Sequence, residues 1–147
     1  MTRTSLMLAA ALFATSVSTP LISLAADTKP SLYERLGGTG PITAVVGKFV
    51  SNVAADKRIN GWFAKADIPN LKRQLVDQVC QASGGPCTYT GKDMKTTHKG
   101  MKITTAAFNA LVEDLVAALD TFNVPEQEKN ELLSVLGPMN KDIVEIP

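Results

Sequence analysis

At 147 residues, 45% of them apolar and 20% charged, the chain has the size of one compact domain and enough apolar surface to build a core. Fifteen Lys and Arg against fourteen Asp and Glu give a net charge of +1, with no basic run along the chain. That balance excludes nucleic acid as a partner, because binding it requires concentrated cations that displace counterions.

Residues 1–26 read as a secretory signal peptide. Arg3 gives a positive head, Leu6 to Ala14 an apolar run, and Ser23-Leu24-Ala25-Ala26 a small-residue cleavage site before the polar Asp27. The alternative is a membrane helix. Pro20 interrupts it, and the uncharged run falls short of the roughly 20 residues a span needs. The expectation is an exported chain, periplasmic or secreted, with no stable membrane insertion after cleavage. Residues 27–147 then form the domain, formally neutral because Arg3 is the only charge removed.

Ser31-Leu32-Tyr33-Glu34 fits a capping box and opens a short helix that Gly37-Gly38-Thr39-Gly40 stops. Pro41 suits the start of a second helix, whose inner face is Ile42, Val45, Val46, Phe49, Val50 and Val53. Asp56 to Asn60 is polar, and Gly61-Trp62-Phe63 brings aromatics into a corner. A third helix starting at Asp67 to Pro69 carries Leu71, Leu75, Val76 and Val79 inward and ends at Gly84-Gly85-Pro86. Cys87 to Lys92 is loop, and a brief helical segment over Asp93 to Lys99 surrounds His98. Thr104 or Thr105 caps a long helix carrying Phe108, Leu111, Val112, Leu115, Leu119 and Phe122. Val124-Pro125-Glu126 opens the last helix, with Leu132, Leu133, Leu136, Met139 and Ile143 inward and Pro138 kinking it. No two-residue alternation is sustained, so the domain is all-α.

Cys80 and Cys87 are the two cysteines. Export permits a disulfide, and Gly84-Gly85-Pro86 lets the chain double back between them. Two free thiols or a redox pair are the alternatives. The spacing is not CxxC, and no second pair exists for zinc.

His98 is the only histidine. It has no Gly-x-Ser-x-Gly turn to form a triad with, no neighbouring ligands for tetrahedral zinc, and no CxxCH for covalent haem. A lone histidine is commonly structural, but this one has Met94 a turn before it on the same helical face. Met101, Ile103 and Phe108 come soon after. An imidazole on an apolar surface suits haem iron, provided another group orients its second nitrogen. Thr97, the Met94 carbonyl or a nearby backbone group can do so, and the sequence does not choose among them.

The ordered set Ser31-Leu32-Tyr33-Glu34-Arg35-Leu36-Gly37-Gly38, Phe63, Gly84-Gly85-Pro86, Tyr89-Thr90-Gly91-Lys92, Met94 and His98 resembles the group I truncated haemoglobins, from about Ser31 to Val144. The resemblance implies a two-over-two helical sandwich around a non-covalent haem b, with His98 as the proximal ligand to the iron. It implies a diatomic gas (oxygen, nitric oxide or carbon monoxide) as ligand and an unidentified electron donor. The expected haem walls are Phe49, Val50, Phe63, Leu71, Leu75, Val79, Met94, Met101, Ile103 and Phe108. Lys72, Arg73, Lys92 and Lys95 are candidates to meet the propionates.

The departure is on the distal side. Where the family often has a tyrosine after the phenylalanine of its second helix, this chain has Val50 after Phe49. Where it often offers glutamines on the facing helix, this chain has Leu71 and Leu75. Gln74 and Gln78 are expected as solvated helix surface, the alternative being that either swings inward as a donor. The reading is a gas-binding haem protein rather than an enzyme. The alternatives are a nitric oxide dioxygenase or peroxidase on the same scaffold, and a haem-free helical module in which His98 is incidental. Peroxidase chemistry needs a distal acid–base group that this pattern lacks.

Overall fold

In the computed structural model the described residues are 29–147, and the leader read over residues 1–26 lies outside them. The first described turn is α1, Leu32–Arg35. Its capping box is complete: the Ser31 hydroxyl accepts from the Glu34 backbone N–H, and the Glu34 carboxylate accepts from the Ser31 N–H at 2.7 Å. Gly37 and Gly38 then take φ of +91° and +82°, a left-handed turn open to glycine at little cost.

That turn releases α2, Thr39–Ala55, whose buried residues are Ile42, Val45, Val46, Phe49, Val50 and Val53. Each such side chain contributes about 1.5–3 kcal/mol when removed from water. Helix α2 packs against both α3, Ile68–Ala82, and α5, Thr105–Thr121. Between α2 and α3 the chain turns through a 3-10 segment, Asn60–Phe63. Ile59, inside the stretch read as polar, is 2% exposed and anchors that corner in the core.

The α3 N-terminus is capped by Asp67, which accepts from Asn70 N–H at 3.1 Å. At its other end a disulfide joins Cys80 to Cys87, with Cα atoms 5.7 Å apart. Gly85 is forced at this point: a Cβ there would lie 2.7 Å from Cys80 Sγ and 2.8 Å from the Cys80 carbonyl oxygen. A loop leads to α4, Met94–His98, capped by the Asp93 side chain.

Thr104 caps α5 by accepting from Ala107 N–H. The residues α5 buries are Ala107, Ala110, Ala118 and Leu119. Three of these four are alanines, and Leu119 is the one large side chain that α5 buries fully. Helix α6, Glu126–Leu136, stops at a 3-10 turn containing Pro138, and α7, Asn140–Ile143, comes next. Pro138 therefore divides the last helix rather than merely bending it. Arg35 ties α1 to α6 through Glu128 at 2.8 Å and Glu131. The described residues contain helices, turns and one isolated bridge, Thr104 to Ile146, in a two-over-two helical arrangement.

Candidate functional site

The apolar face of α3 is only partly covered by its neighbour α2. Leu71, Leu75 and Val79 are only half-buried, and Cys80 alone is buried among the α3 residues. The rest of that face looks into a cavity of about 790 Å³, open to solvent and bounded by α2, α3, α4, α5 and α6. The volume lies within the range that holds a cofactor-sized molecule. Phe49 and Phe63, with Phe108, Leu111 and Leu115 of α5, are among the residues that line it. The large apolar residues of α5 are thus spent on the cavity.

His98 lines this cavity from the last position of α4. Its Nδ1 stands 2.8 Å from the Met94 carbonyl oxygen. A carbonyl only accepts, so Nδ1 carries the proton, and Nε2 keeps an uncommitted lone pair. This tautomer is the one an imidazole needs to ligate a metal through Nε2. Of the orienting groups open from the sequence, the structure uses the Met94 carbonyl. Thr97 Oγ1 donates elsewhere, to the Asp93 carbonyl at 2.8 Å.

Among the residues expected around the haem, Phe49, Phe63, Leu71, Leu75, Val79, Met94 and Phe108 line the cavity. Val50, Met101 and Ile103 do not, and each has a physical reason. Val50, one residue beyond Phe49 on α2, is rotated into the α2–α3 seam, where with Val53 and Ile68 it borders a separate void of about 20 Å³. Met101 lies past the turn after His98, and its carbonyl accepts from Trp62 Nε1 at 3.0 Å. Ile103 is buried, and its carbonyl accepts from the N–H groups of Glu145 and Ile146.

Gln74 and Gln78 also correct the expectation. Both are half-buried and line the cavity instead of standing in solvent. Gln78 Nε2 lies 3.6 Å from Met94 Sδ and 3.5 Å from Met139 Sδ, weak contacts that hold it between two thioethers. Gln74 Oε1 is buried with no hydrogen-bond partner, an acceptor left over on the cavity wall. Of the four basic residues considered for propionates, only Lys92 lines the cavity. Arg73 donates to Asn70 on the helix exterior, while Arg35, not singled out from the sequence, also reaches the cavity.

A haem is a flat apolar ring with acidic tails and an iron that takes a neutral imidazole. The residues present fit it. They supply an apolar face on α3, a histidine held through Nδ1, and a cavity-lining cation at Lys92. Around α4 the electrostatics favour order: hydrogen bonds from Thr96 hold the Asp93 carboxyl below the usual carboxylate range, so the cap is ionised.

Comparison with known proteins agrees with this geometry. The family of bacterial-like globins matches residues 31–145. A group 1 truncated hemoglobin of Tetrahymena pyriformis is 34% identical over 114 residues, spanning 78% of this chain and 94% of that protein. One from Mycolicibacterium paratuberculosis is 34% identical over 113 residues, spanning 77% and 83%. The crystal structure of the Tetrahymena pyriformis protein in its Fe(III) form superposes with a TM-score of 0.76, at 34% identity, covering 78% of this chain and 98% of that one.

Proposed function

Since this chain belongs to the bacterial-like globin family, we propose that it is an exported gas-binding globin whose iron is held by His98 and whose distal pocket releases oxygen readily. The family and its truncated hemoglobin relatives make the chain a haem-binding globin with non-covalent haem and a diatomic gas as ligand. Haem, when bound, supplies an iron with a coordination position open to a small gas. The observation that carries the His98 assignment is the 2.8 Å bond from Nδ1–H to the Met94 carbonyl on a ring that lines the cavity.

The chain's own residues then divide the work. The Met94 carbonyl fixes the His98 tautomer and ring plane. Phe49, Phe63, Leu71 and Leu75 give the cavity an apolar wall. Lys92 is the cation placed to meet an acidic tail, since Arg35 is engaged by Glu128 and Glu131. On this reading the Gln78 amide is held by the Met94 and Met139 sulfurs, and gas selectivity arises from Leu71 and Leu75, two side chains without a donor. A ligand carrying partial negative charge gains no hydrogen bond from them, whereas a less polar ligand loses little. The α3 residues facing the cavity offer no titratable acid or base either, which supports binding over peroxidase chemistry.

Export rests on the charge–apolar–small order of residues 1–26, and the Cys80–Cys87 bond is compatible with an oxidising compartment. Outside the cytoplasm a separate electron donor is needed to keep the iron reduced. No helix among the described residues is long and apolar enough to cross a membrane.

The test is an absorption spectrum of the purified protein supplied with haem, as isolated, reduced, and reduced under carbon monoxide, beside His98→Ala. A strong Soret band that shifts with carbon monoxide and is altered or lost in the variant is expected. A spectrum unchanged by His98→Ala would remove His98 as ligand.

A further inference from the structure

His98 is the last residue of a five-residue helix, too short to hold a direction by its own hydrogen bonds. The turn after it contains two left-handed residues, Gly100 at φ +81° and Lys102 at φ +53°. A non-glycine residue at that φ stores strain and persists only where its surroundings impose it. The source of that constraint lies more than forty residues away, in the C-terminal tail. Glu145 turns one carboxylate oxygen to the Gly100 N–H and the other to the Lys102 N–H, each at 2.6 Å. The tail backbone continues the grip, with Glu145 and Ile146 N–H donating to the Ile103 carbonyl and Thr105 N–H donating to the Ile146 carbonyl. Helix α7, immediately before this tail, packs against α4 itself.

We propose that Glu145 is a positioning residue for the proximal histidine: by clasping the turn after His98 it fixes the direction in which α4 presents the imidazole to the iron. The inference rests on His98 being that ligand. Glu145 accepts two charge-assisted bonds from neighbouring N–H groups of one turn, a geometry that specifies where the turn sits as well as adding stability. Those bonds also hold its carboxyl below the usual range, so it is ionised at neutral pH. The His98 carbonyl accepts from Met101 N–H at 3.1 Å, and the Met101 carbonyl accepts from Trp62, so a shift of the clasped turn reaches His98 through one peptide segment.

The measurement is the iron–histidine stretching band in the resonance Raman spectrum of the ferrous, gas-free holoprotein, paired with the rate of haem transfer to apomyoglobin. Wild type, Glu145→Ala and Glu145→Gln are compared, with Arg58→Ala as a variant in a remote exposed ion-pair cluster. In Glu145→Ala the band shifts and broadens, and haem leaves about fivefold faster. Glu145→Gln, which keeps amide oxygen as one acceptor, shows the same change in smaller degree and carries the test if the alanine variant does not fold. Arg58→Ala leaves the band in place. An unchanged band and haem-transfer rate in the folded Glu145 variants would overturn the positioning role. No iron–histidine band in wild type would instead overturn the His98 assignment beneath it.

Discussion

Replacing Leu75 by glutamine adds a third amide on the cavity face of α3, beside Gln74 and Gln78. Leu75 is half-buried on the cavity face of α3, one turn after Leu71, so an amide of similar length at that position reaches the same space without crossing the helix seam. A hydrogen bond to a ligand carrying partial negative charge is worth about 1–2 kcal/mol. At roughly 1.4 kcal/mol per factor of ten, oxygen release from Leu75→Gln slows by about five- to thirtyfold. Carbon monoxide, less polar when bound, changes by less than about twofold on the same physical basis. Stopped-flow mixing of the oxygenated protein with excess carbon monoxide reads the oxygen rate directly. Slow release already present in wild type would refute the reasoning, and acceleration by Gln74→Leu would then identify Gln74 as the donor. Equal slowing of both gases in Leu75→Gln would also refute it, because that pattern signals steric closure.

The disulfide closes a short loop, with the cysteines seven positions apart, and the paired Cys80→Ser and Cys87→Ser variant loses about 2–3 kcal/mol, measured as a lower denaturant midpoint. Matching midpoints for the two proteins would show the bond stabilises nothing. Gly85→Ala brings a methyl against Cys80 Sγ and the Cys80 carbonyl and costs about 1–3 kcal/mol in thermal melts; an unchanged melting temperature would mean the turn yields freely. Asp93 and Glu145 both have carboxyls held below their ordinary values, by Thr96 and by the Gly100 and Lys102 N–H groups respectively. The folded state therefore binds fewer protons than the unfolded one in that window. Their contribution is complete above the ordinary carboxylate range and is lost as pH falls through the lowered values. A pH titration of haem retention should show an acid limb that the Asp93→Asn, Glu145→Gln double variant flattens, and an identical limb would contradict this.

Much of the framework is legible from the sequence because its signals are local. The capping box at Ser31, the apolar spacing of α2, the Asp67 to Pro69 start and the Pro138 break each depend on residues within a turn of one another. His98 stands out because it is the only imidazole and has an apolar neighbourhood in sequence. The residues that sequence misplaced are those whose surroundings come from distant chain. Met101 and Ile103 look like haem wall by proximity to His98, yet the C-terminal tail and Trp62 claim their backbone. Gln74 and Gln78 look like solvent-facing positions on an amphipathic helix, but a cavity wider than one side chain admits flanking positions as well as the central stripe. Ile59 sits in a polar run, and only the corner geometry buries it. Glu145 carried no sequence signal at all, since its partners lie more than forty residues earlier.

The two sides of the cavity are built on opposite principles, and that contrast bears on which gas the protein serves. On the α4 side the polar groups near His98 are satisfied. The Asp93 cap, the Thr97 hydroxyl, the Met94 carbonyl and the Glu145 carboxylate each have a defined partner. On the α3 side the groups are apolar, weakly held or unpartnered: Leu71, Leu75, Gln78 between two sulfurs, and Gln74 with a bare oxygen. A satisfied network resists rearrangement because each broken bond leaves a desolvated group behind. The α3 side has no such restraint, so its side chains can turn when a ligand enters. On the proposed reading, ligand discrimination turns on whether the Gln74 or Gln78 amide meets the bound gas: with neither engaged, gases that need no donor are favoured over oxygen.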